Sequence, residues 1–200
     1  MELASASLTG AALVRRRVED NLAMSARLLE PELVDRVSEV GERVIEAYQA
    51  GNKVILFGNG GSAADAQHLA AEMCGRFLID RRALPAIALA DNVAALTAIG
   101  NDYAYADVFA RQIEGFGVAG DVAIGISTSG RSENVVRALE LAGRRGLVTV
   151  ALTGETGGRL PEVAELCLCM PSTETPRIQE AHALIGHILC ELVESALFGA

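Results

Sequence analysis

Between residues 53 and 170 the chain repeats one pattern: a short, nearly unbroken apolar run followed by a longer segment with helical spacing. The runs are KVILFG (53–58), PAIALA (85–90), DVAIGIS (121–127), LVTVALTG (147–154) and AELCLCM (164–170). Apolar runs without period-two alternation predict strands buried on both faces. Helices are predicted over 62–74, near 106–116, over 133–145 and over 175–198. Strands that alternate with helices predict an α/β fold, a three-layer sandwich with a central parallel sheet flanked by helices. Ligands in such sheets sit at the carboxyl ends of the strands, which directs the search to the loops after Phe57, Ile126 and Met170.

Upstream, Val14, Val18, Leu22, Ser25 and Leu29 keep a seven-residue rhythm, and Pro31 opens a second helical stretch that runs to Gly51. These predict an N-terminal helical hairpin before the sheet. No repeat, low-complexity tract or Pro-rich linker divides the chain, and the Gly154–Gly158 turn reads as loop punctuation. A single domain over 1–200 is expected, with helices over 1–50 and the α/β core over 51–200.

Half of the 200 residues are hydrophobic, enough for a substantial core. With 17 Lys and Arg against 26 Asp and Glu, the formal charge of −9 argues against a broad grip on nucleic acid or an anionic membrane. A few local amides and hydroxyls can still bind the phosphate of a small ligand. The N-terminus lacks a basic-then-apolar signal pattern, and no apolar stretch is expected to reach the ~20 residues that span a bilayer, so a cytoplasmic location is expected. Cys74, Cys167, Cys169 and Cys190 form no CxxC pair and read as small buried hydrophobes in a reducing compartment.

The first strand ends in Gly58-Asn59-Gly60-Gly61-Ser62 directly before a helix, which presents backbone N–H groups at a positive helix end and suits an anion. The spacing is neither GxGxxG nor GxxxxGK[ST], which disfavours a dinucleotide or nucleoside triphosphate, although glycine turns also occur in any α/β fold. Ser127-Thr128-Ser129-Gly130-Arg131-Ser132 places four hydroxyls in six residues at another strand–helix junction. Hydroxyls and amides together can enclose a phosphate without a metal; helix capping alone would need one hydroxyl.

His68 and Glu72 lie four apart on the first helix of the core, about 40° apart around its axis and therefore on one face. Gln179 and His187 on the last helix are about 80° apart, on one flank two turns from each other. Each alone is more often a solvated or structurally bonded side chain than a catalyst. His182, the remaining histidine, points elsewhere and reads as structural or peripheral. A His/Glu/Gln/His set can hold zinc through N and O ligands, with Gln the uncommon member.

Several separated segments, in order, resemble the SIS (sugar isomerase) proteins and among them the phosphoheptose isomerases: GNGGSAADAQHLAAE (58–72), PAIALADN (85–92), GNDY (100–103), GDVAIGISTSGRSENV (120–135) and PRIQEAHALIGH (176–187). The resemblance spans nearly the whole chain, including the paired N-terminal helices. It implies the SIS fold and conversion of sedoheptulose 7-phosphate into D-glycero-D-manno-heptose 7-phosphate at the start of nucleotide-heptose synthesis. It assigns phosphate binding to Ser127, Thr128, Ser129 and Ser132. Substrate contacts fall to Asn59, Gly60, Gly61, Ser62, Glu72, Asp91, Asn92 and Gln179.

It associates proton transfer with Glu72 and His187, and a zinc set seen in some members matches His68, Glu72, Gln179 and His187; enediol chemistry suits Glu72 as carbon base and His187 as its acid/base partner, or the two in reversed roles. A homo-oligomer, most simply a tetramer built through residues 1–50, is implied as well. Two departures bear on the sugar end: Arg131 stands where members often have Asn, and Pro176 where some have Asp. Non-catalytic relatives that associate with the bacterial replication initiator share the glycine and ISTxG loops but lack the residues that here are Glu72 and His187. Another phosphosugar enzyme, an etherase or an amino-sugar isomerase, is a further alternative.

Overall fold

A computed structural model describes residues 9–199. Its centre is a five-stranded parallel sheet of β1 (Val54–Gly58), β2 (Ala86–Ala88), β3 (Val122–Ser127), β4 (Val148–Thr153) and β5 (Leu166–Cys169), in the order β2-β1-β3-β4-β5. All four pairings are parallel. The reason lies in the apolar runs: each strand sends successive side chains to opposite faces, and both faces are covered. Val54, Leu56, Val122, Ile124, Ile126, Val150 and Leu152 enter one core cluster, while Ile55, Phe57, Ala123 and Ala151 enter the other.

Among the described residues, seven α-helices clothe the sheet: α1 (Gly10–Arg27), α2 (Pro31–Gln49), α3 (Gly61–Cys74), α4 (Val93–Asp102), α5 (Ala110–Phe116), α6 (Glu133–Arg144) and α7 (Thr175–Phe198). Buried residues of α2, α3 and α7 build the first cluster and those of α5 and α6 the second. From β1 the chain crosses to β2 on one side, whereas β3 leads to β4 on the other. The reversal makes a crevice between β1 and β3, and their register, Gly58 beside Ile126, starts the glycine loop and the serine loop side by side.

Three expectations change, at 106–116, at α4 and at α7, and the α1 surface becomes explicit. The stretch near 106–116 is not one helix: a single 3-10 turn, Tyr105–Asp107, precedes α5. Between them Val108 and Phe109 enter the core together, the Val108 N–H donating to the Tyr105 carbonyl at 3.4 Å and the Phe109 carbonyl accepting from the Ile113 N–H at 2.9 Å. Helix α4 was not expected, since VAALTAIG carries no polar face to give a period; its N-cap Asn92 accepts a bond from the Ala95 N–H. The apolar rhythm over α1 and the turn after it faces outward, with Val14 65%, Leu22 63% and Leu29 77% exposed, and α1 rests on α7 through Arg17, Asn21 and Arg177. Finally, α7 is long and apolar enough to cross a membrane by length and composition, but 44% of its apolar window is buried inside the protein, where it serves as the core helix of one layer.

Candidate active site at the carboxyl ends of β1 and β3

The glycine loop owes its shape to close approaches. A Cβ on Gly58 would lie 2.8 Å from the Ile126 carbonyl oxygen and from Ser62 Cβ, and Gly60 holds φ at +57°. A Cβ on Gly61 would overlap the Gln179 carboxamide, so the missing side chain lets α7 lay Gln179 on the loop. Ser62 is buried in the first turn of α3. No side chain caps α3; the Ser62 and Ala63 N–H groups in its first turn donate to the Asn59 and Gly60 carbonyls of the loop, each at 3.1 Å.

In the serine loop, Ser127 Oγ lies 2.9 Å from Ser132 Oγ and 3.5 Å from Ser129 Oγ, and the Arg131 N–H donates to Ser129 Oγ at 3.2 Å. Ser132 is the N-cap residue of α6, yet its hydroxyl makes no capping bond. Three hydroxyls thus converge at a helix N-terminus, the arrangement that binds a phosphate. The Gly154–Gly158 turn is more than punctuation. Gly130, with φ +63°, packs so closely on Gly157 that a Cβ would overlap its carbonyl, and the Arg159 N–H donates to the Gly130 carbonyl at 2.8 Å. An open cleft of ≈ 240 Å³ lies beside Thr128, Ser129, Arg131, Ser172 and Thr173.

The imidazoles meet between α3 and α7. His68 Nε2 lies 2.9 Å from His187 Nε2 and 3.7 Å from Glu72 Oε1. Ligand atoms of the three residues all fall within 4.8 Å of one another, a donor set of two imidazoles and a carboxylate that fits a divalent metal such as zinc. The helix spacing thus places Glu72 and His68 as expected, and the fold brings His187 to them. His182 is buried, 3.3 Å from the Thr153 carbonyl, and burial, only partly opposed by that carbonyl, pushes its pKa down to about 4. It is structural, as its position on α7 suggested.

Other expected residues separate. Asn59 is held between Asn134, with reciprocal carboxamide bonds of 2.9 Å, and the Tyr105 hydroxyl, which donates to it at 2.9 Å. Asn92 is committed to capping α4, which limits what it can offer a sugar, and Asp91 is exposed beside it. The cysteines differ from the buried expectation: Cys190 is buried, Cys167 and Cys169 are half-buried, and Cys74 is exposed, all as free thiols. Cys167 and Cys169 share one face of the edge strand, which explains their partial access.

Three site neighbours were not singled out from the sequence: Asn134, Tyr105 and Phe77, whose ring lies 5.5 Å from the His187 ring. Only Asn134 carried a signal, a carboxamide directly after the serine loop. Asp65, one turn before His68, is half-buried with one carboxylate oxygen unpartnered, and burial raises its pKa, opposed by His68.

A crevice that pairs a hydroxyl-rich phosphate loop with an imidazole–carboxylate cluster, and has no nucleotide fingerprint, defines an α/β protein for small phosphorylated ligands. The comparisons with known proteins narrow that class. A family model for the SIS domain matches residues 19–154. The chain is 57% identical to a phosphoheptose isomerase of Geobacter sp. (strain M21) over 170 residues, 85% of this chain and 88% of the relative. Among solved structures, a phosphoheptose isomerase from Neisseria gonorrhoeae superposes with TM-score 0.86 at 39% identity, covering 92% of this chain and 97% of that one. One from Francisella tularensis gives 0.90 at 32% identity, covering 94% and 100%. The chain belongs to the SIS domain family and, within it, to the phosphoheptose isomerases.

Proposed function

We propose that the protein converts sedoheptulose 7-phosphate into D-glycero-D-manno-heptose 7-phosphate, an aldose–ketose isomerisation at the start of nucleotide-heptose synthesis. The observation that carries this reading is the meeting of Glu72 with His68 and His187 between α3, the helix that leaves the glycine loop, and α7. The serine loop takes the phosphate, and the chain of the sugar reaches from it toward α3 and α7. Isomerisation moves the carbonyl from C2 to C1. Glu72 accepts the proton on C1, the C1–H electrons form the C1–C2 double bond of an enediol, and a proton returns to C2 as the C1 carbonyl forms. His187 carries the proton from O1 to O2, work suited to a group that exchanges protons near neutral pH.

His68, Glu72 and His187 are the residues that would hold zinc; Gln179, the fourth expected ligand, lies two turns earlier on α7 against Gly61. Zinc held by these residues would supply Lewis-acid polarisation of the sugar oxygens. Glu72 and His187 belong to both sets, so metal and proton transfer compete for the same lone pairs. A binding-only protein of this fold would have no need of the cluster, which favours the enzyme. The protein works in the cytoplasm as a homo-oligomer, supported by the outward apolar stripe of α1.

The test is turnover of sedoheptulose 7-phosphate followed by NMR, with the melting shift on ligand addition as a separate readout of binding. Glu72→Gln keeps the shape and removes the base, so kcat is expected to fall by about 10²–10⁴-fold while the melting shift persists. No turnover by the wild type, or near-full kcat in Glu72→Gln, sinks the reading.

A further inference from the structure

The segment between α3 and β2 leaves its helix directly behind Glu72, and one buried ion pair ties it down. Glu194 on α7 is 3% exposed and accepts bonds from three successive backbone N–H groups, those of Phe77 at 2.9 Å, Leu78 at 2.8 Å and Ile79 at 3.2 Å. The Arg81 side chain, 2% exposed, folds back to donate from Nε to Glu194 at 3.0 Å. Its remaining donors reach the carbonyls of Glu72 at 2.8 Å, Met73 at 2.7 Å, Gly75 at 3.0 Å and Arg82 at 3.2 Å. The first two of these are end-of-helix carbonyls of α3, which lack partners within the helix and carry its negative dipole end. Burial alone would raise the Glu194 carboxyl, but the three amides and Arg81 hold it below the usual carboxylate range.

Burying two charges costs desolvation that an apolar pair of similar volume avoids, so stability alone is a poor reason for them here. What an apolar pair cannot do is bond three loop amides and the end of a helix at once. The tie has a specific address. Glu194 follows His187 by seven residues, about 20° around the axis of α7, so both lie on one face. Glu72 gives its carbonyl to Arg81 and its side chain to the site. Phe77, the first residue whose N–H Glu194 holds, stacks at 30° on the His187 ring.

We propose that Arg81 and Glu194 form a positioning clasp that fixes Glu72 against His187 and thereby controls turnover rather than phosphate binding. For its kinetic readout the proposal rests on the isomerase reading above. Neither residue belongs to the expected substrate or metal sets; both act through the last turn of α3 and through Phe77.

The experiment compares wild type, Glu194→Gln and Arg81→Lys in four measurements: kcat and KM with sedoheptulose 7-phosphate, the Kd of inorganic phosphate, thermal unfolding, and the ring-nitrogen NMR signals of His68 and His187. Glu194→Gln presents an amide to groups that only donate, and Arg81→Lys keeps the charge but loses the fork that spans carboxylate and carbonyls. The expected result is a fall in kcat of about 10–100-fold, the scale of an ångström-sized misplacement, with cooperative unfolding retained. KM and the phosphate Kd are expected to stay within about twofold, because the serine loop lies on other elements. Unchanged kcat in both variants, loss of phosphate affinity equal to the loss of kcat, or non-cooperative unfolding in both, overturns the clasp. If the wild type turns over nothing, the isomerase reading falls and the ring signals decide: shifts in both variants keep the clasp, and unshifted signals overturn it.

Discussion

Ser132 occupies the N-cap of α6, yet its hydroxyl turns to Ser127 instead of closing the helix. The helix end therefore keeps its donors for a ligand, and the serine loop gains a third hydroxyl. Ser129→Ala removes one member of that set from an exposed position. Phosphate affinity by calorimetry is expected to weaken by about 1–3 kcal/mol, the worth of a hydrogen bond to a charged group, with little change in melting temperature. At His182 the consequence concerns stability. Its folded pKa of about 4 lies below the ordinary histidine value, so the unfolded chain takes up the proton first as pH falls. The neutral buried form is fully stabilising above about pH 6.5, and that contribution is lost between there and about pH 4, on the order of 3 kcal/mol. Urea unfolding at several pH values in that window checks it: His182→Leu is expected to show a flatter pH dependence than wild type, and parallel curves would refute the assignment.

Two glycine turns from different βα units form one element at the phosphate end. Gly130 at φ +63° packs on Gly157, itself at φ +70°, and neither has room for a side chain. Gly130→Ala imposes a left-handed conformation that costs a non-glycine residue about 1–2 kcal/mol, before the overlap with the Gly157 carbonyl is relieved. Chemical denaturation is expected to show at least that loss, and phosphate affinity to fall with it, because relief of the overlap must move Ser129. An alanine variant with wild-type stability would mean that the turns are not coupled. At this scale the chain was partly legible. Spacing placed His68 and Glu72 on one helix face, since i and i+4 neighbours follow from the helical repeat alone. The junction between α4 and α5 was not, because Val108 and Phe109 are held by the core and leave no period to read.

At the scale of the whole molecule, an apolar stripe on α1 and the turn after it faces outward. Val14, Val18, Leu22 and Leu29 are all more than half exposed in the isolated chain, and burying each is worth about 1.5–3 kcal/mol on the scale of apolar side-chain transfer. A homotetramer through these helices is expected, so light scattering at micromolar concentration should give four times the 21.0 kDa chain mass. Val18→Asp together with Leu22→Asp should shift that mass downward, and a monomeric wild type would remove the stripe's proposed role.

The sequence by itself determined the strands, the α/β class and the two loops, because both-face burial and glycine- or hydroxyl-rich junctions are local properties of a chain. It also held the segments that resemble the phosphoheptose isomerases. Only the tertiary structure decided which residues meet. His187 is 119 residues from His68 and reaches it because α3 and α7 pack on the same face of the sheet. Asn134 joins Asn59 because β1 and β3 are neighbours, and the 154–158 turn supports the serine loop because β3 and β4 are. The Arg81–Glu194 tie was hidden for the same reason: a buried ion pair leaves no period or motif, and its partners lie 113 residues apart until the fold closes on them.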